Sequence, residues 1–579
     1  MTRTDTAVVG TLVALLVLIA ALIGGPAIQL AAAPATPSPS TASGPEFEVR
    51  PYVEGILSSP ASVSPLTART QADRDLVALL FPGLVRNGPG GTIVPDLAER
   101  WTVDKAGKTW TVDIRPDARW HDGTAVSADD VVFTIETLQD PAYEGPSGTS
   151  WSEVSVTAIG QRRVRFTLET PLGGFLQALT QPIAPVHLLG DRPIETMDED
   201  PFRGLPIGSG PFAITELSDT SASLVPAEIA GAIGGPSASP AGSPDSLATP
   251  TPTPRPERPM PYLAGIEFRF YEDADELAAD FNAGELDAAS GLAPTAAAAL
   301  AGSDGARLLR YPGATLTAAL VNLRPGHPEF STPALRTGLL AAIDRESLAK
   351  AAFAGLVAPA TGLIPPSSPM FDPKADPAVA YSRGAAERAF TAAGWTRGAS
   401  RWRLPNAKKP LSIEVLSPTE ASNPSLFRAA QEVVKDWTTI GIEAKHVPLP
   451  PSEFASQRLS TGRFQVAVAD LRIGLDPDLY PLLASSQTLS GGSNVMGVQG
   501  SGLDALLEKA RAPGSMSSRK KAYSALQQQL AAGRYVLPLA FADEVVVYRD
   551  TVVGPAARQV TDGSDRFWDV LTWRLAVDR

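Results

Sequence analysis

A few residues in this chain of 579 have the types and spacing that catalysis uses. His121 stands beside Asp122 in the sequence WHDG, which puts an imidazole next to a carboxylate, the pairing of general acid–base chemistry. An aspartate followed by glycine after a strand is, however, typical of a turn. Ser347 and Lys350 have the spacing of a serine nucleophile and its lysine base, but no S-D-N, K-T-G or G-x-S-x-G motif accompanies them. Both patterns therefore favour structural roles.

Metal and hydrolase chemistry also lack their residues. The four histidines are far apart and form no H-x-x-x-H pair, and the chain contains no cysteine. Acid pairs such as Asp198 with Asp200 and Asp476 with Asp478 resemble those of glycosidases, but nothing in the sequence distinguishes one pair from another. No G-x-x-x-x-G-K-[ST] motif is present to bind ATP. We therefore expect no catalytic residue, no metal and no cofactor.

The composition indicates a large folded protein. Hydrophobic residues make up 44% of the chain, enough to supply packed interiors, and the 49 glycines and 54 prolines are too few to indicate a disordered chain. The length suits two or three domains. The net charge is −13, from 49 basic and 62 acidic residues, and the basic residues are scattered. Nucleic acid is therefore an unfavourable partner, because binding it requires a basic surface.

The N-terminal segment predicts export. Residues 7–25 carry no charged side chain, and this run has the length of a membrane-spanning helix. We therefore assign residues 1–33 to a signal or transmembrane anchor. Ala31, Ala32 and Ala33 are the small residues that a signal peptidase cuts after, but Pro34 would hinder cleavage there. We expect an uncleaved anchor, with a cleaved signal peptide as the alternative. Residues 34–47 are a linker rich in Pro, Thr and Ser.

The remaining chain predicts a mixture of strands and helices. Apolar residues alternate with polar ones at 110–114 and again at 164–168, as in half-buried strands. Ser127 and Asp130 have capping-box spacing before a helical pattern, and Asp344 precedes another. The fold class is therefore mixed α/β, of the α+β type without strict alternation. Residues 218–261 lack apolar periodicity and are predicted to be an exposed, disordered insertion or a linker between domains.

One long segment carries a family resemblance. Residues 95–141 contain an L-A-E-x-W motif, a strand ending in a basic residue, WHDG, and a helix that opens with ADDVVF. They are similar to the family 5 extracellular solute-binding proteins of ABC importers, which include oligopeptide, dipeptide and nickel binders. Further matches follow in family order at residues 208–212, 283–287, 342–345, 393–395, 440–442, 476–478 and 534–539. The resemblance covers residues 48–579 and places the 218–261 insertion inside one domain.

The resemblance implies a two-lobed periplasmic-binding-protein-like fold, type II and cluster C like, with an extra small domain. Lobe I would comprise residues 48–78, 200–320 and 536–579, the small domain residues 79–199, and lobe II residues 321–535. The hinge is expected near residues 317–324 and 535–540. Ligand would bind in the cleft between the lobes and favour their closure.

Five residues are the candidates for ligand binding. In peptide-binding relatives, the strand near residues 463–480 is followed by a tryptophan and then by an aspartate that captures the α-amine of the ligand. Here Leu471 is near the first position and Gly474 near the second, and Asp470 and Arg472 either face solvent or point into the cleft. Tyr143 and Trp151 follow the ADDVVF helix, where relatives lend aromatic side chains to the ligand wall.

The sequence thus predicts an extracytoplasmic solute-binding protein, without enzymatic activity, in the periplasm or at the cell surface. It would capture a short peptide or related polar solute, act as a monomer and deliver the solute to the permease and ATPase subunits of an ABC transporter, while the N-terminal helix contacts the membrane. The alternative is a degenerate family member that acts as a signalling or structural module. A hydrolase is a weaker alternative.

Overall fold

The structure, a computed structural model, describes residues 46–88, 92–143, 151, 153–197, 202, 204–227, 261–398, 400–488 and 492–577. The predicted anchor at 1–33, nearly all of the 34–47 linker and residues 228–260 of the predicted insertion lie outside these ranges. No helix among the described residues has both the length and the apolar character needed to cross a membrane.

The strands are β1 (Phe47–Glu48), β2 (Pro51–Ile56), β3 (Val85–Asn87), β4 (Ile93–Pro95), β5 (Ala98–Val103), β6 (Thr109–Ile114), β7 (Val154–Ala158), β8 (Arg163–Leu168), β9 (Phe212–Leu217), β10 (Ser221–Pro226), β11 (Gly265–Phe270), β12 (Ala288–Ser290), β13 (Ala306–Val321), β14 (Thr396–Arg397), β15 (Trp402–Arg403), β16 (Ser412–Pro418), β17 (Glu443–Leu449), β18 (Val466–Arg472), β19 (Val536–Arg549), β20 (Val552–Val553) and β21 (Arg574–Ala576).

The α-helices are α1 (Gln71–Leu80), α2 (Ala128–Gln139), α3 (Phe175–Ala178), α4 (Val186–Leu189), α5 (Ala274–Ala283), α6 (Pro294–Leu300), α7 (Pro333–Ala341), α8 (Arg345–Phe353), α9 (Arg383–Ala392), α10 (Pro424–Thr439), α11 (Tyr480–Leu483), α12 (Ser501–Arg511) and α13 (Met516–Gly533). Short 3-10 helices occupy Ile194–Thr196, Pro328–Phe330, Ser485–Thr488 and Gly563–Thr572, and a π-helix occupies Glu453–Leu459.

One ten-stranded sheet runs through both lobes, in the order β17-β16-β18-β13-β19-β12-β2-β11-β10-β9. The long strands β13 and β19 are antiparallel neighbours at its centre. At one end β19 pairs with β12, and at the other end β13 pairs with β18. Each long strand therefore belongs to the first lobe at one end and to the second lobe at the other.

A separate four-stranded antiparallel sheet, in the order β5-β6-β8-β7, precedes most of the large sheet in sequence. Burial alternates along β6 and β8, as the sequence predicts for half-buried strands. Helix α2 begins with the predicted capping box, in which Asp130 accepts a hydrogen bond of 2.7 Å from the backbone N–H of Ser127. The same carboxylate accepts the N–H of Val186 at 2.9 Å and so fixes the start of α4.

The predicted boundaries of the insertion need a correction. Residues 221–226 form β10, which pairs with β9 and also with β11 on the far side of the insertion. The sequence SASLVP contains small residues that resemble the neighbouring low-complexity stretch, yet Ala222 and Leu224 are buried at alternate positions. The two strands that flank residues 228–260 therefore belong to one sheet.

The hydrophobic cores follow the sheets. One core joins the small sheet to the first-lobe part of the large sheet and contains Trp120, Phe268 and Trp573. In the second lobe, alternate residues of β13 point into two cores, one around Trp437 and the other around Tyr523. The small sheet thus shares its interior with the first lobe, whereas the second lobe has its own.

Candidate binding site between the lobes

The pairing of β13 with β19 changes register where the strands pass from one lobe to the other. Tyr311 pairs with Glu544 and Thr315 pairs with Ala542, so residues 312–314 lie opposite Asp543 alone. A Cβ atom at Gly313 would lie 2.3 Å from the carbonyl oxygen of Ala542, so this close approach of the two strands requires glycine. A second register shift lies within the hinge segments expected at 317–324 and 535–540, because Thr317 pairs with Ala540 and Ala318 with Pro538, which leaves Leu539 as an extra residue.

Asp470 lies beside this irregular segment, near the end of β18. Its Oδ1 accepts a hydrogen bond of 2.6 Å from Thr317 Oγ1 on the neighbouring strand. The residue is exposed, yet crowding by the surrounding protein removes water from its carboxylate and raises its pKa.

Arg472 reaches from the second lobe toward the first. Its side chain is 71% exposed, and its guanidinium lies 3.7 Å from the carboxylate of Asp562. Asp562 caps the C-terminal 3-10 helix and also forms an ion pair of 3.0 Å with Arg74 of α1. Burial alone would raise the pKa of Asp562, but the charge of Arg74 and the hydrogen bonds from Ser564 outweigh it, and the pKa is lowered.

Glu544 of β19 adds a second carboxylate on the first-lobe side. Among the described residues, no side chain forms a hydrogen bond or ion pair with its carboxylate. Its carboxyl carbon would lie 3.4 Å from a Cβ placed on Gly563, the residue that follows Asp562. Burial and then the charge of Asp562 raise the pKa of Glu544.

We call Asp470, Arg472, Glu544 and Asp562 the interlobe charge group. Asp470, Arg472 and Glu544 can bind charged or strongly polar groups of a ligand, since each retains unused hydrogen-bonding capacity, whereas Asp562 is already bonded to Arg74 and Ser564. The sequence singled out Asp470 and Arg472 as candidates, whereas Glu544 and Asp562 join the group from the structure. The one signal for Glu544 is that Asp543 and Glu544 interrupt an apolar strand.

The structure places the other predicted site residues elsewhere. Leu471 is half-buried against a second-lobe core. Tyr143 is half-buried against the first-lobe core, and its hydroxyl donates to the carbonyl of Leu66. Trp151 is 2% exposed and packs against Phe166 and Phe175 inside the small sheet. Neither aromatic residue joins the interlobe charge group.

The position that lacks the aspartate of peptide-binding relatives is a turn. Gly474 has a φ of +76°, a conformation that favours glycine. The acids that follow it have partners in the second lobe, because Asp476 accepts two hydrogen bonds from Arg519 and Asp478 pairs with Arg511 at 3.0 Å. Neither acid is available to act as one of a catalytic pair.

The motifs that resembled catalytic sites are structural. In WHDG, Asp122 accepts the N–H of Thr124 and pairs with His187 at 2.7 Å, while the Nδ1 of His121 accepts the N–H of Gly208. Ser347 donates its hydroxyl to the capping Asp344. The pair Asp198 and Asp200 lies outside the described residues. No three metal-ligating side chains come together in the described part of the chain.

One pairing that the sequence did not suggest joins a serine to a histidine. Ser417 Oγ lies 2.8 Å from His446 Nε2 across β16 and β17. Ser417 is fully buried, so no substrate reaches its hydroxyl. Burial lowers the pKa of His446. The pair therefore connects two strands of the second lobe.

Comparison with protein families identifies the chain. Residues 92–493 match the model of the bacterial extracellular solute-binding proteins, family 5, in its middle region. The chain belongs to this family. Its two-lobed fold agrees with that assignment, and the predicted resemblance is confirmed.

Several known proteins are similar to this family 5 chain. The oligopeptide-binding protein AppA of Bacillus subtilis is 24% identical over 487 residues, which cover 83% of this chain and 84% of AppA. The glutathione-binding protein GsiB of Escherichia coli K12 is 24% identical over 322 residues, 55% of this chain and 57% of GsiB.

Solved structures show the same fold. The structure of Bacillus subtilis AppA with a nonapeptide superposes with a TM-score of 0.72 and 22% identity, covering 92% of this chain and all of AppA. NikZ of Campylobacter jejuni, in complex with Ni(L-His), gives a TM-score of 0.68 at 22% identity and covers 90% of this chain and 99% of NikZ.

Proposed function

We propose that this family 5 protein captures a small polar solute, such as a short peptide, between its two lobes and delivers it to the permease of an ABC transporter. The observation that carries the proposal is the interlobe charge group, where charged side chains of both lobes meet with unused hydrogen-bonding capacity. The names of AppA and GsiB, oligopeptide-binding and glutathione-binding, support a peptide-like solute. No chemical step on the solute is part of the proposal.

The domain boundaries in this proposal are those expected from the sequence, with one adjustment: residues 316–320 of β13 and 536–541 of β19 pack in the second-lobe cores and cross into lobe II. Lobe I comprises residues 48–78, 200–320 and 536–579, the small domain residues 79–199, and lobe II residues 321–535. The small sheet falls within the range given to the small domain, and β16 to β18 fall within that of lobe II. Movement between the lobes would occur where β13 and β19 change register, since that segment forms the fewest regular pairs.

We also propose how charge selects the solute. A buried ammonium needs a nearby anion, and Gly474 supplies none, so a free peptide N-terminus gains no partner there. Within the described part of the chain Arg472 has one ion-pair contact, at 3.7 Å, and its planar guanidinium suits a carboxylate or phosphate of the solute. A solute anion at Arg472 would replace the Asp562 contact as the link between the lobes.

The experiment that tests the function starts with native mass spectrometry of protein purified from its own host. We expect a retained small solute. After its removal, a panel of peptides and sugars should include members that reduce the radius of gyration in solution scattering. A chain that retains no solute and does not respond to the panel would overturn solute capture and favour a signalling or structural module.

A matched pair of peptides tests the selection by charge. A peptide that binds should do so with equal affinity in its free and N-acetylated forms, as measured by calorimetry. A large loss of affinity on acetylation would contradict this expectation. It would indicate that an acid of the interlobe charge group binds the ammonium, and Asp470 is the first candidate for that role.

The N-terminal anchor remains part of the proposal. The uncharged run at residues 7–25 and Pro34 after the small residues favour a helix that stays attached to the membrane, with the binding domain outside. Membrane fractionation combined with N-terminal sequencing tests it. A soluble mature chain that begins near residue 34 would replace the anchor with a cleaved signal peptide.

A further inference from the structure

The lobes meet at a second place, away from the β-strands that connect them. The loop at residues 171–174 follows β8 of the small sheet, and the backbone N–H of Gly173 donates to the carbonyl of Arg511 at 2.8 Å. Arg511 ends α12, and residues 512–515 connect α12 to α13 in the second lobe. The loop and the helices belong to different hydrophobic cores, so this contact joins two separately packed bodies.

The contact is made by backbone atoms at glycine positions. A Cβ atom at Gly173 would lie 3.0 Å from the carbonyl oxygen of Ala512 and 3.0 Å from Arg519 Nε. A Cβ atom at Gly174 would lie 3.1 Å from a carboxylate oxygen of Asp476. All three distances are shorter than ordinary van der Waals contact, so a side chain at either position would hold the loop away from the second lobe.

A third glycine from the small sheet approaches the same surface. A Cβ atom at Gly107 would lie 2.6 Å from the ring of Pro513. Gly107 has a φ of +70°, whereas Gly173 and Gly174 do not have positive φ values. Substitutions at Gly173 and Gly174 therefore test the contact without straining the backbone of the loop.

The surface that receives the loop is fixed by ion pairs. Arg519 donates to both oxygens of Asp476, at 2.9 and 2.5 Å, and its side chain is largely buried. Arg511 pairs with Asp478, and its guanidinium lies 4.5 Å from the centre of the Tyr480 ring. These side chains are held within the second lobe, so docking of the loop orders few groups and loses little conformational entropy.

We propose that the 171–174 loop is a latch that holds the lobes closed and that its glycines set the fraction of closed molecules in the absence of solute. This rests on the proposed function, in which the lobes open and close around a solute. One backbone hydrogen bond and close packing of two glycines give a weak contact, which solute binding can reinforce and which opening can break.

The absence of cysteine allows a direct test by double electron–electron resonance. Lys105 of the small sheet and Lys520 on α13, both exposed, are replaced with cysteine in the full chain and spin-labelled. Any bound solute is removed beforehand by unfolding the protein in denaturant, dialysing it and refolding it. We expect a short-distance population in this parent. Gly173→Val should lower the ratio of short to long distances roughly tenfold, because the added atoms collide with a backbone carbonyl. Gly174→Ala should shift the ratio in the same direction by a smaller factor.

The control is Gly502→Ala in α12, where an added Cβ meets no atom within 4 Å. It should leave the distance distribution unchanged. If Gly173→Val fails to fold, Gly174→Ala carries the test, with circular dichroism as the check on folding. An unchanged distribution in a folded Gly173→Val or Gly174→Ala variant, or a parent without a short-distance population, would overturn the latch.

The outcomes separate this proposal from the proposed function. If a solute binds the parent and the Gly173→Val variant with equal affinity and closes the lobes of both, the proposed function is supported and the latch proposal is rejected. If Gly173→Val changes the distances but no solute is found, the latch stands and solute capture fails.

Discussion

Two groups of charges built from the same residue types behave differently in this molecule. In the first lobe, Arg566 donates to both oxygens of Asp75 at 2.7 and 2.8 Å and to Glu54 at 2.6 Å, and all three side chains are almost completely buried. In the interlobe charge group, Arg472 is mostly exposed and reaches one carboxylate, Asp562, at 3.7 Å. Every charge of the first group is held by short hydrogen bonds, whereas the second group retains unused hydrogen-bonding capacity.

The difference teaches how to distinguish structural charges from those available to a ligand. Glu54 and Asp75 receive further hydrogen bonds, from Tyr52 and Gln71, so little capacity remains in the buried group. Burial makes such a group costly to break, because an isolated charge without water is unfavourable by several kcal/mol. An exposed and poorly paired charge costs little to change, and its value becomes evident only when a ligand binds.

The largest expected effect comes from breaking the buried group. Arg566→Leu leaves two buried carboxylates without their cation and should lower the free energy of unfolding by about 3–5 kcal/mol. Urea denaturation followed by circular dichroism measures it. Arg566→Lys keeps the charge but loses the paired geometry and should lose less. A loss below about 1 kcal/mol for Arg566→Leu would remove the distinction between the two groups.

A third group, the ion pair of Asp376 with Arg534, is buried but has a long contact, so its contribution to stability should depend on pH. Asp376 lies 3.4 Å from Arg534, and both side chains are buried. Burial raises the pKa of Asp376 to about 6, although Arg534 and Arg345 oppose the change. A carboxyl group with a higher pKa in the folded state binds its proton more tightly there, so it reduces stability as pH rises from about 4 to about 6.

The variant Asp376→Asn should lack this dependence. The free energy of unfolding of the wild type, minus that of the variant, should fall by about 2–2.5 kcal/mol between pH 4 and pH 7. Urea titrations at several pH values measure the difference. Glu387→Gln, which removes an exposed carboxylate that pairs with Arg397, is the control and should show no such trend. Parallel curves for the wild type and Asp376→Asn would contradict the expectation.

The smallest effect on stability, and the one most informative about function, comes from Arg472→Ala. Loss of an exposed ion pair should change the free energy of unfolding by less than about 1 kcal/mol. Binding of a solute with a carboxylate should weaken by about 1.5–3 kcal/mol in calorimetry, the scale of a hydrogen bond to a charged group. Arg397→Ala, which removes an exposed arginine of the second lobe that pairs with Glu387, should leave solute binding unchanged. Unchanged binding by Arg472→Ala would return Arg472 to the solvated surface.

Local features of the fold were predictable from the sequence. The alternating residues of β6 and β8, the capping box of α2 and the capping Asp344 of α8 depend on neighbours within a few positions, and all of them are confirmed. Strand β10 was missed because its serine and alanine residues resemble the low-complexity segment that follows it. Its pairing with β11, across about forty residues, is what reveals it.

The interlobe charge group was predictable only in part. Asp470 and Arg472 were recognisable as charges between apolar strand residues, but the partner of Arg472 lies 90 residues further along the chain and has no motif. The same limitation applies to Trp151. Its position after α2 does not indicate the direction in which its ring points, and the structure places that ring against Phe166 and Phe175. Contacts between distant segments depend on the whole topology.

The continuous central strand has a consequence for the order in which the chain can fold. Strand β19 pairs with β13 in both lobes, and Arg566 joins Glu54 across a separation of 512 residues. During synthesis, both lobes therefore lack a central strand until the last segment emerges, and the first lobe also lacks the cation for its buried carboxylates. Contacts of such long range slow folding, since the chain must close large loops first. The two lobes should therefore become stable together, after translation ends, rather than one after the other as each is made.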